Sequence, residues 1–86
     1  MRLSKTVYSG SPTRIYVTVN YTYQESTGKV VAIDSVYVSG YNASYCRNVS
    51  VYSWSLSGND MTIINKYQPI GSDEWIPAAV FVNLTP

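Results

Sequence analysis

The segment Thr13–Tyr23 alternates between apolar and mostly polar side chains, and this alternation restricts the fold more than any other feature of the chain. The residues of its apolar face are Ile15, Val17, Val19, Tyr21 and Tyr23. Because successive side chains of a β-strand point to opposite faces, the pattern predicts a strand with one buried face. No window of the sequence shows a sustained helical apolar period, so the sequence predicts an all-β chain.

The composition favours strands along the whole chain. Nine tyrosines, eleven valines and seven threonines occur among 86 residues, and these residue types fit a pleated, half-buried surface. No internal repeat, low-complexity stretch or linker divides the sequence. A chain of this length is enough for one small core, so we expect a single domain over residues 1–86.

A first hairpin turn is predicted at Glu25–Lys29, where Gly28 supplies a positive φ. With Glu25 opposite Lys29, the cross-strand pairs are Tyr23 with Val31, Tyr21 with Ile33, Val19 with Ser35 and Val17 with Tyr37. The same register places Tyr16, Val36 and Val38 together on the opposite face. We expect these three residues to form an apolar patch that is covered by another surface, and we take them as candidate interface residues.

A second hairpin is predicted around the two-residue loop Gly58–Asn59. Its register pairs Leu56 with Met61, Trp54 with Ile63 and Ser55 with Thr62. In the preceding segment the apolar phase changes between Val51 and Tyr52. A β-bulge or bend there, or a strand that passes between sheets, would reconcile the two phases.

About six to seven antiparallel strands with regular turns predict a small β-sandwich of immunoglobulin-like architecture, and a compact β-barrel is the alternative. The Cys–Trp–Cys pattern of antibody domains is absent, because Cys46 is the only cysteine. The predicted likeness to immunoglobulins is therefore one of architecture only.

Several function classes are disfavoured by what the sequence lacks. There is no histidine, the charged residues amount to 13% and the net charge is +1, so neither histidine-based catalysis nor a broad basic surface for nucleic acid is expected. The few acidic residues lack the spacing of a calcium loop or of a glycosidase pair. We therefore expect no enzyme, cofactor, metal site or nucleic-acid partner. Because apolar runs are only about four residues long, no membrane-spanning helix is expected either.

The aromatic residues are the strongest functional signal. Tyr41, Asn42 and Tyr45 lie in a predicted loop after the first hairpin, and Trp75 follows two acidic residues in a later loop. Tyrosine, serine, glycine and asparagine together are typical of adaptable recognition surfaces, and stacked aromatic rings also suit sugars. These four residues are our candidate ligand-binding site.

The sequence therefore predicts a non-catalytic binding or adhesion module of a secreted or cell-surface bacterial protein. Its exposed aromatics would contact a glycan or a protein partner. One alternative is a structural or assembly domain that self-associates through strand edges or the Tyr16–Val36–Val38 patch. Another is a small secreted toxin or inhibitor. The charge-poor surface rich in Ser, Thr, Asn and Tyr favours an extracellular location.

Overall fold

The computed structural model describes residues 1–86 and consists of strands joined by turns and loops, without a helix. The strands are β1 (Arg2–Ser9), β2 (Ile15–Gln24), β3 (Lys29–Gly40), β4 (Cys46–Ser57), β5 (Asp60–Pro69) and β6 (Ile76–Asn83). All paired strands are antiparallel, which confirms the predicted all-β class. Nothing in the structure is a helix that is long and apolar enough to cross a membrane.

The strands form two three-stranded sheets in sequence order, β1-β2-β3 and β4-β5-β6, named here the N-terminal and the C-terminal sheet. Neither sheet contains a crossover, whereas immunoglobulin domains have Greek-key connections, so the predicted immunoglobulin-like arrangement is not confirmed. β1 lies beside β6 and β3 beside β4. The molecule is elongated, with extents of 50 × 18 × 17 Å.

One hydrophobic core takes side chains from both sheets. The N-terminal sheet contributes the predicted apolar face of β2, which is buried along its whole length. From the second half of the chain come Cys46, Met61, Ile63, Tyr67, Val80 and Leu84. Because each central strand places alternate residues into this core, its intervening residues are left for the outer face of its sheet.

The first hairpin forms, with Gly28 at a φ of 67°, but its predicted register is only partly right. Tyr21 pairs with Ile33 as expected, whereas Val19 pairs with Val36 and Val17 with Val38. Tyr23 pairs with Val30 instead of Val31. The Tyr23 pair differs because the turn places Gln24, and not Glu25, opposite Lys29. The Val19 and Val17 pairs differ because β3 has an extra residue opposite β2 after Ile33.

The predicted patch of Tyr16, Val36 and Val38 is wrong for the same reason. The shift that follows Ile33 turns Val36 and Val38 toward the core, against which both pack. Tyr16 stays outside, paired with Gly40 and with its ring centroid 4.7 Å from that of Tyr8. The three side chains therefore do not share a surface.

The second hairpin is confirmed in detail. Ser57 pairs with Asp60 across the two-residue loop, and Leu56 and Trp54 pair with Met61 and Ile63 as predicted. A register shift between Val51 and Ser53 confirms the predicted bulge and leaves Tyr52 without a partner across the ladder. This bulge positions one residue of the candidate site.

Asparagine side chains fasten the turns to each other at both ends of the molecule. At one end, Asn59 Oδ1 accepts a hydrogen bond from the Val30 amide at 2.9 Å, and its Nδ2 donates to the Gly28 carbonyl at 2.8 Å. At the other end, Asn42 Nδ2 donates to the Pro12 carbonyl at 3.0 Å. These bonds connect turns from different sheets or hairpins, and so hold the sheets in register.

A lysine joins the two sheets between these ends. Lys5 Nζ on β1 donates hydrogen bonds to the carbonyls of Asn83 and Thr85, at 2.6 and 3.0 Å. An inward charge on an edge strand is a recognised way to discourage pairing with further strands. Lys5 thus occupies carbonyls that an added strand at the end of β6 would need.

Candidate functional site

Three side chains form the most distinctive surface of the molecule, on the outer face of the C-terminal sheet. The Nζ of Lys66 lies 4.8 Å from the ring centroid of Trp75 and 5.6 Å from that of Tyr52. Both distances are within the range of a cation–π contact. Tyr52 and Trp75 are 68% and 50% exposed, so at least half of each residue is open to solvent. We call Tyr52, Lys66 and Trp75 the aromatic platform.

The local sequence explains why these side chains meet. The bulge in β4 makes Tyr52 an extra residue between the pairs Val51–Asn65 and Ser53–Ile64, while Val51 stays against the core. Lys66 alternates with buried neighbours on β5 and so faces outward. Trp75 immediately precedes β6, the strand next to β5. Each platform residue therefore comes from a different part of the C-terminal sheet.

A shallow apolar cleft of about 180 Å³ lies at the platform. Its walls also include Ile64, Ile76 and Pro77. The volume is smaller than the ~300–1,000 Å³ of pockets that engulf small molecules. The platform is therefore suited to a ligand that lies across the surface, and it lacks the enclosure that an active site uses to exclude water.

The apolar character continues down the same face of the sheet. The outward residues of β6 are Pro77, Ala79 and Phe81, which pair with Lys66, Ile64 and Thr62 of β5. Phe81 is 74% exposed. An extended ligand could follow this strip from the platform toward the end of β6.

The charges around the platform are placed asymmetrically. Arg47 forms the only ion pair of the molecule, with Asp73 at 2.8 Å, and its guanidinium also donates to Gln68 Oε1 and to the Ser72 carbonyl. Lys66 forms no ion pair and donates no hydrogen bond to the protein. Its ammonium is thus the uncompensated charge at the centre of the platform.

The four predicted binding residues all lie in the loops at one end of the molecule, but the structure separates them into two groups. Tyr41, Asn42 and Tyr45 lie between β3 and β4, and Trp75 lies between β5 and β6. Trp75 joins Tyr52 and Lys66 in the platform.

The three residues of the β3–β4 loop have different surroundings. Asn42 is a structural residue, because its amide holds the Pro12 carbonyl and its backbone nitrogen donates to Thr13. Tyr45 packs against buried Tyr67, with the ring centroids 6.3 Å apart. Tyr41 remains an exposed loop tyrosine.

Sequence reasoning missed Tyr52 and Lys66 as members of the site. The available signal for Tyr52 was the change of phase after Val51, since an extra residue in a bulged strand is turned to the opposite face. Lys66 carried no comparable signal. Its role depends on the two aromatic neighbours that only the folded sheet brings to it.

Three buried groups titrate abnormally, and none of them belongs to the platform. Burial raises the pKa of Tyr21 and of Tyr67, with smaller contributions from the neighbouring Tyr23 and Tyr45. Burial also raises the pKa of the Cys46 thiol, whose Sγ contacts the Asn42 carbonyl at 3.3 Å. A thiol kept protonated in this way is a poor nucleophile. No group of three or more Cys, Asp or Glu side chains is arranged to hold a metal ion.

Comparison of the chain with protein-family models gave no match. Searches of curated proteins and of solved structures gave none either. What can be inferred about function therefore comes from the geometry of the platform and its surroundings.

Proposed function

We propose that this protein is a non-catalytic binding or adhesion module that holds a glycan on the aromatic platform. The observation that carries the proposal is the pair of exposed rings, Tyr52 and Trp75, fixed on either side of Lys66 on a sheet face. The C–H face of a sugar ring stacks on an aromatic ring, and tyrosine and tryptophan also offer a polar group to its hydroxyls. A rigid sheet presents such rings with little loss of conformational entropy on binding.

The proposal includes the arrangement and location of the module. We propose that the two sheets face each other as the layers of a small sandwich, which is supported by their common core. We also propose that the module belongs to a secreted or cell-surface bacterial protein. Its charge-poor composition and the absence of histidine support this location and a non-catalytic role.

Assembly through strand edges has less support than ligand binding. β3 and β4 carry register shifts that interrupt a regular edge, and Lys5 occupies carbonyls near the end of β6. Bulges and inward charges are features that discourage edge-to-edge pairing. A role as a toxin or inhibitor has no specific observation in its favour.

Calorimetric titration with a panel of cell-wall polysaccharide fragments tests the proposal. We expect saturable binding that is lost in Trp75→Ala and in Tyr52→Ala. Tyr37→Ala is the matched control, because Tyr37 is 48% exposed on the N-terminal sheet and is not part of the platform. Trp54, which lies outside the platform, reports folding by fluorescence in the Trp75 variant.

Either of two results would contradict the proposal. One is the absence of binding to any fragment by a folded protein. The other is unchanged affinity of both platform variants for a fragment that the parent protein binds. Loss of binding in Tyr37→Ala alone would place the site on the N-terminal sheet instead.

A further inference from the structure

We infer that the glycan bound by the platform is acidic, and that a sugar carboxylate pairs with Lys66. This inference rests on the proposed function and adds the class of ligand. The first observation is the state of Lys66 itself. Its ammonium has three donors, and none of them has a carboxylate or carbonyl partner in the protein.

Two of the other five lysine and arginine side chains, those of Lys5 and Arg47, are bonded within the protein. Lys5 donates to two backbone carbonyls, and Arg47 donates to Gln68, Ser72 and Asp73. Lys66 contacts only the two aromatic rings. The rings hold the ammonium in place and leave its hydrogen-bonding capacity unused.

The position of the ammonium decides which ligand atom it meets. It lies 4.8 and 5.6 Å from the centroids of the two rings, and so within reach of substituents on a sugar stacked against either ring. A uronic acid carries its carboxylate directly on the sugar ring, so stacking and ion pairing are compatible in one residue. Charge-assisted hydrogen bonds are about twice as strong as neutral ones.

The acidic residues nearby do not satisfy Lys66. Asp73 is paired with Arg47, and the Glu74 carboxylate makes no ion pair. The charges of Arg47, Lys66, Asp73 and Glu74 sum to zero, so the region has no strong net field. Preference for an acidic ligand must therefore come from direct contact with Lys66, which makes it dependent on this one side chain.

The decisive comparison uses oligogalacturonates and the methyl esters of the same oligomers. The two probes have the same sugar backbone and differ in the carboxylate charge. We expect the acid to bind at least about tenfold more tightly than the ester at low salt, with a smaller ratio at high salt because ions screen the pair. Lys66→Met, which keeps an apolar stem, should abolish this preference, so that acid and ester bind with the same affinity.

Two further variants distinguish direct contact with Lys66 from a general effect of the protein's positive charge. Lys66→Arg should preserve the preference, because it retains the positive charge between the rings. Lys29→Met removes a positive charge at the start of β3 and should leave the preference intact. A preference that falls equally in Lys29→Met and Lys66→Met would overturn the inference. It would also be overturned if the protein bound a polyglutamate peptide as tightly as it binds the oligogalacturonate.

The outcomes also distinguish this inference from the proposed function. Equal binding of acid and ester, with loss of both in Trp75→Ala, would leave the glycan-binding proposal standing and overturn the acidic ligand. Failure of both probes to bind, in a folded protein, would count against both. Preference for the acid that survives Lys66→Met would overturn the role of Lys66.

Discussion

The two sheets have the same plan but differ in how their polar groups are hydrogen-bonded. The strand lengths are eight, ten and twelve residues in the N-terminal sheet and twelve, ten and eight in the C-terminal sheet. The inner face of β2 is apolar throughout. The inner face of β5, by contrast, includes Asn65, which is fully buried and whose Oδ1 and Nδ2 both lack a hydrogen-bond partner.

The outer faces of the two sheets differ in their side-chain hydrogen bonds. Side-chain hydrogen bonds connect the strands of the N-terminal sheet, through the pairs Thr6–Thr18, Thr18–Ser39, Asn20–Ser35 and Thr22–Asp34. The outer face of the C-terminal sheet exposes the platform and Phe81 instead. The N-terminal sheet thus has polar groups bonded to one another on its outer face beside the exposed Tyr8, Tyr16 and Tyr37, while the C-terminal sheet has an unpaired amide inside and the platform and Phe81 outside.

This difference agrees with the proposed location of the binding site in the C-terminal sheet. Departures from the rules of a stable fold tend to gather at functional sites, where stability is given up for binding. Asn65 immediately precedes Lys66 on β5, so the buried amide and the platform lie next to each other in the chain. In the proposed function, the N-terminal sheet, with its satisfied polar groups, is the supporting scaffold.

The largest expected effect comes from placing an unpaired buried amide, like that of Asn65, in the N-terminal sheet. In Val19→Asn, a fully buried apolar side chain on β2 becomes an amide with no partner. We expect the free energy of unfolding to fall by about 3–5 kcal/mol, since apolar burial of about 1.5–3 kcal/mol is lost and an unpaired polar group costs about 1–3 kcal/mol. Urea denaturation measures the change.

The matched control is Val31→Asn on β3. Val31 is exposed, so the same substitution should change the free energy of unfolding by less than about 0.5 kcal/mol. A loss below about 1 kcal/mol in Val19→Asn would show that both sheets tolerate a buried amide. The contrast between the sheets would then have no energetic basis.

The second expected effect, on alkaline stability, involves both sheets. Burial raises the pKa of Tyr21 in the N-terminal sheet and of Tyr67 in the C-terminal sheet above the usual value of about 10. The unfolded chain therefore loses these protons at lower pH than the folded one. Their contribution to stability is full below pH ~10 and is lost above it, by at most about 1.4 kcal/mol per pH unit for each tyrosine.

Urea midpoints measured across this pH range test the effect. Tyr67→Phe should reduce the steepness of the fall, because one of the two groups no longer titrates. An identical profile in Tyr67→Phe and the parent protein would show that Tyr67 titrates normally.

Replacing the unpaired amide of Asn65 in the C-terminal sheet should stabilise the protein. Asn65→Val replaces an unpaired amide with a β-branched side chain suited to a strand, and we expect a gain of about 1–2 kcal/mol in the free energy of unfolding. Asn65→Ala should be less stable than Asn65→Val, because it leaves space in the core. Destabilisation by Asn65→Val would indicate that the amide is bonded in solution, for example to a buried water.

Sequence reasoning succeeded where a short turn determined the register. The two-residue loop at Gly58–Asn59 fixes which residues of β4 and β5 face each other, and every predicted pair of that hairpin near the loop is present. The apolar alternation of β2 was equally informative, because one whole face of that strand is buried. Local pattern and tertiary burial agree in both cases.

Sequence reasoning failed where a strand changed phase without a clear turn. In β3 the apolar residues shift phase between Ile33 and Val36. The prediction assumed a regular register and therefore placed Val36 and Val38 on the outer face, in a patch that the structure does not contain. The same kind of shift in β4 was recognised as a bulge. The platform could not be assembled from sequence, because the meeting of Tyr52, Lys66 and Trp75 depends on that bulge and on pairing across three strands.

The smallest expected effect compares one threonine on the outer face of each sheet. The Thr18 hydroxyl donates to Ser39 Oγ at 2.9 Å and also bonds Thr6, whereas Thr62 makes no side-chain hydrogen bond. Thr18→Val should therefore reduce the free energy of unfolding by about 1 kcal/mol, the net value of a typical hydrogen bond. Thr62→Val should be neutral or slightly stabilising, because valine suits a strand and no bond is lost.

The two valine variants make the same chemical change on the outer face of the central strand of each sheet. Thr18 is buried and Thr62 is half-buried, and only Thr18 has hydrogen-bond partners to lose. Thermal and urea unfolding of both variants should thus show a loss only in the N-terminal sheet. Equal losses would mean that the hydrogen bonds among Thr6, Thr18 and Ser39 add nothing beyond hydration, and the bonded outer face would then be a consequence of composition with no stabilising role.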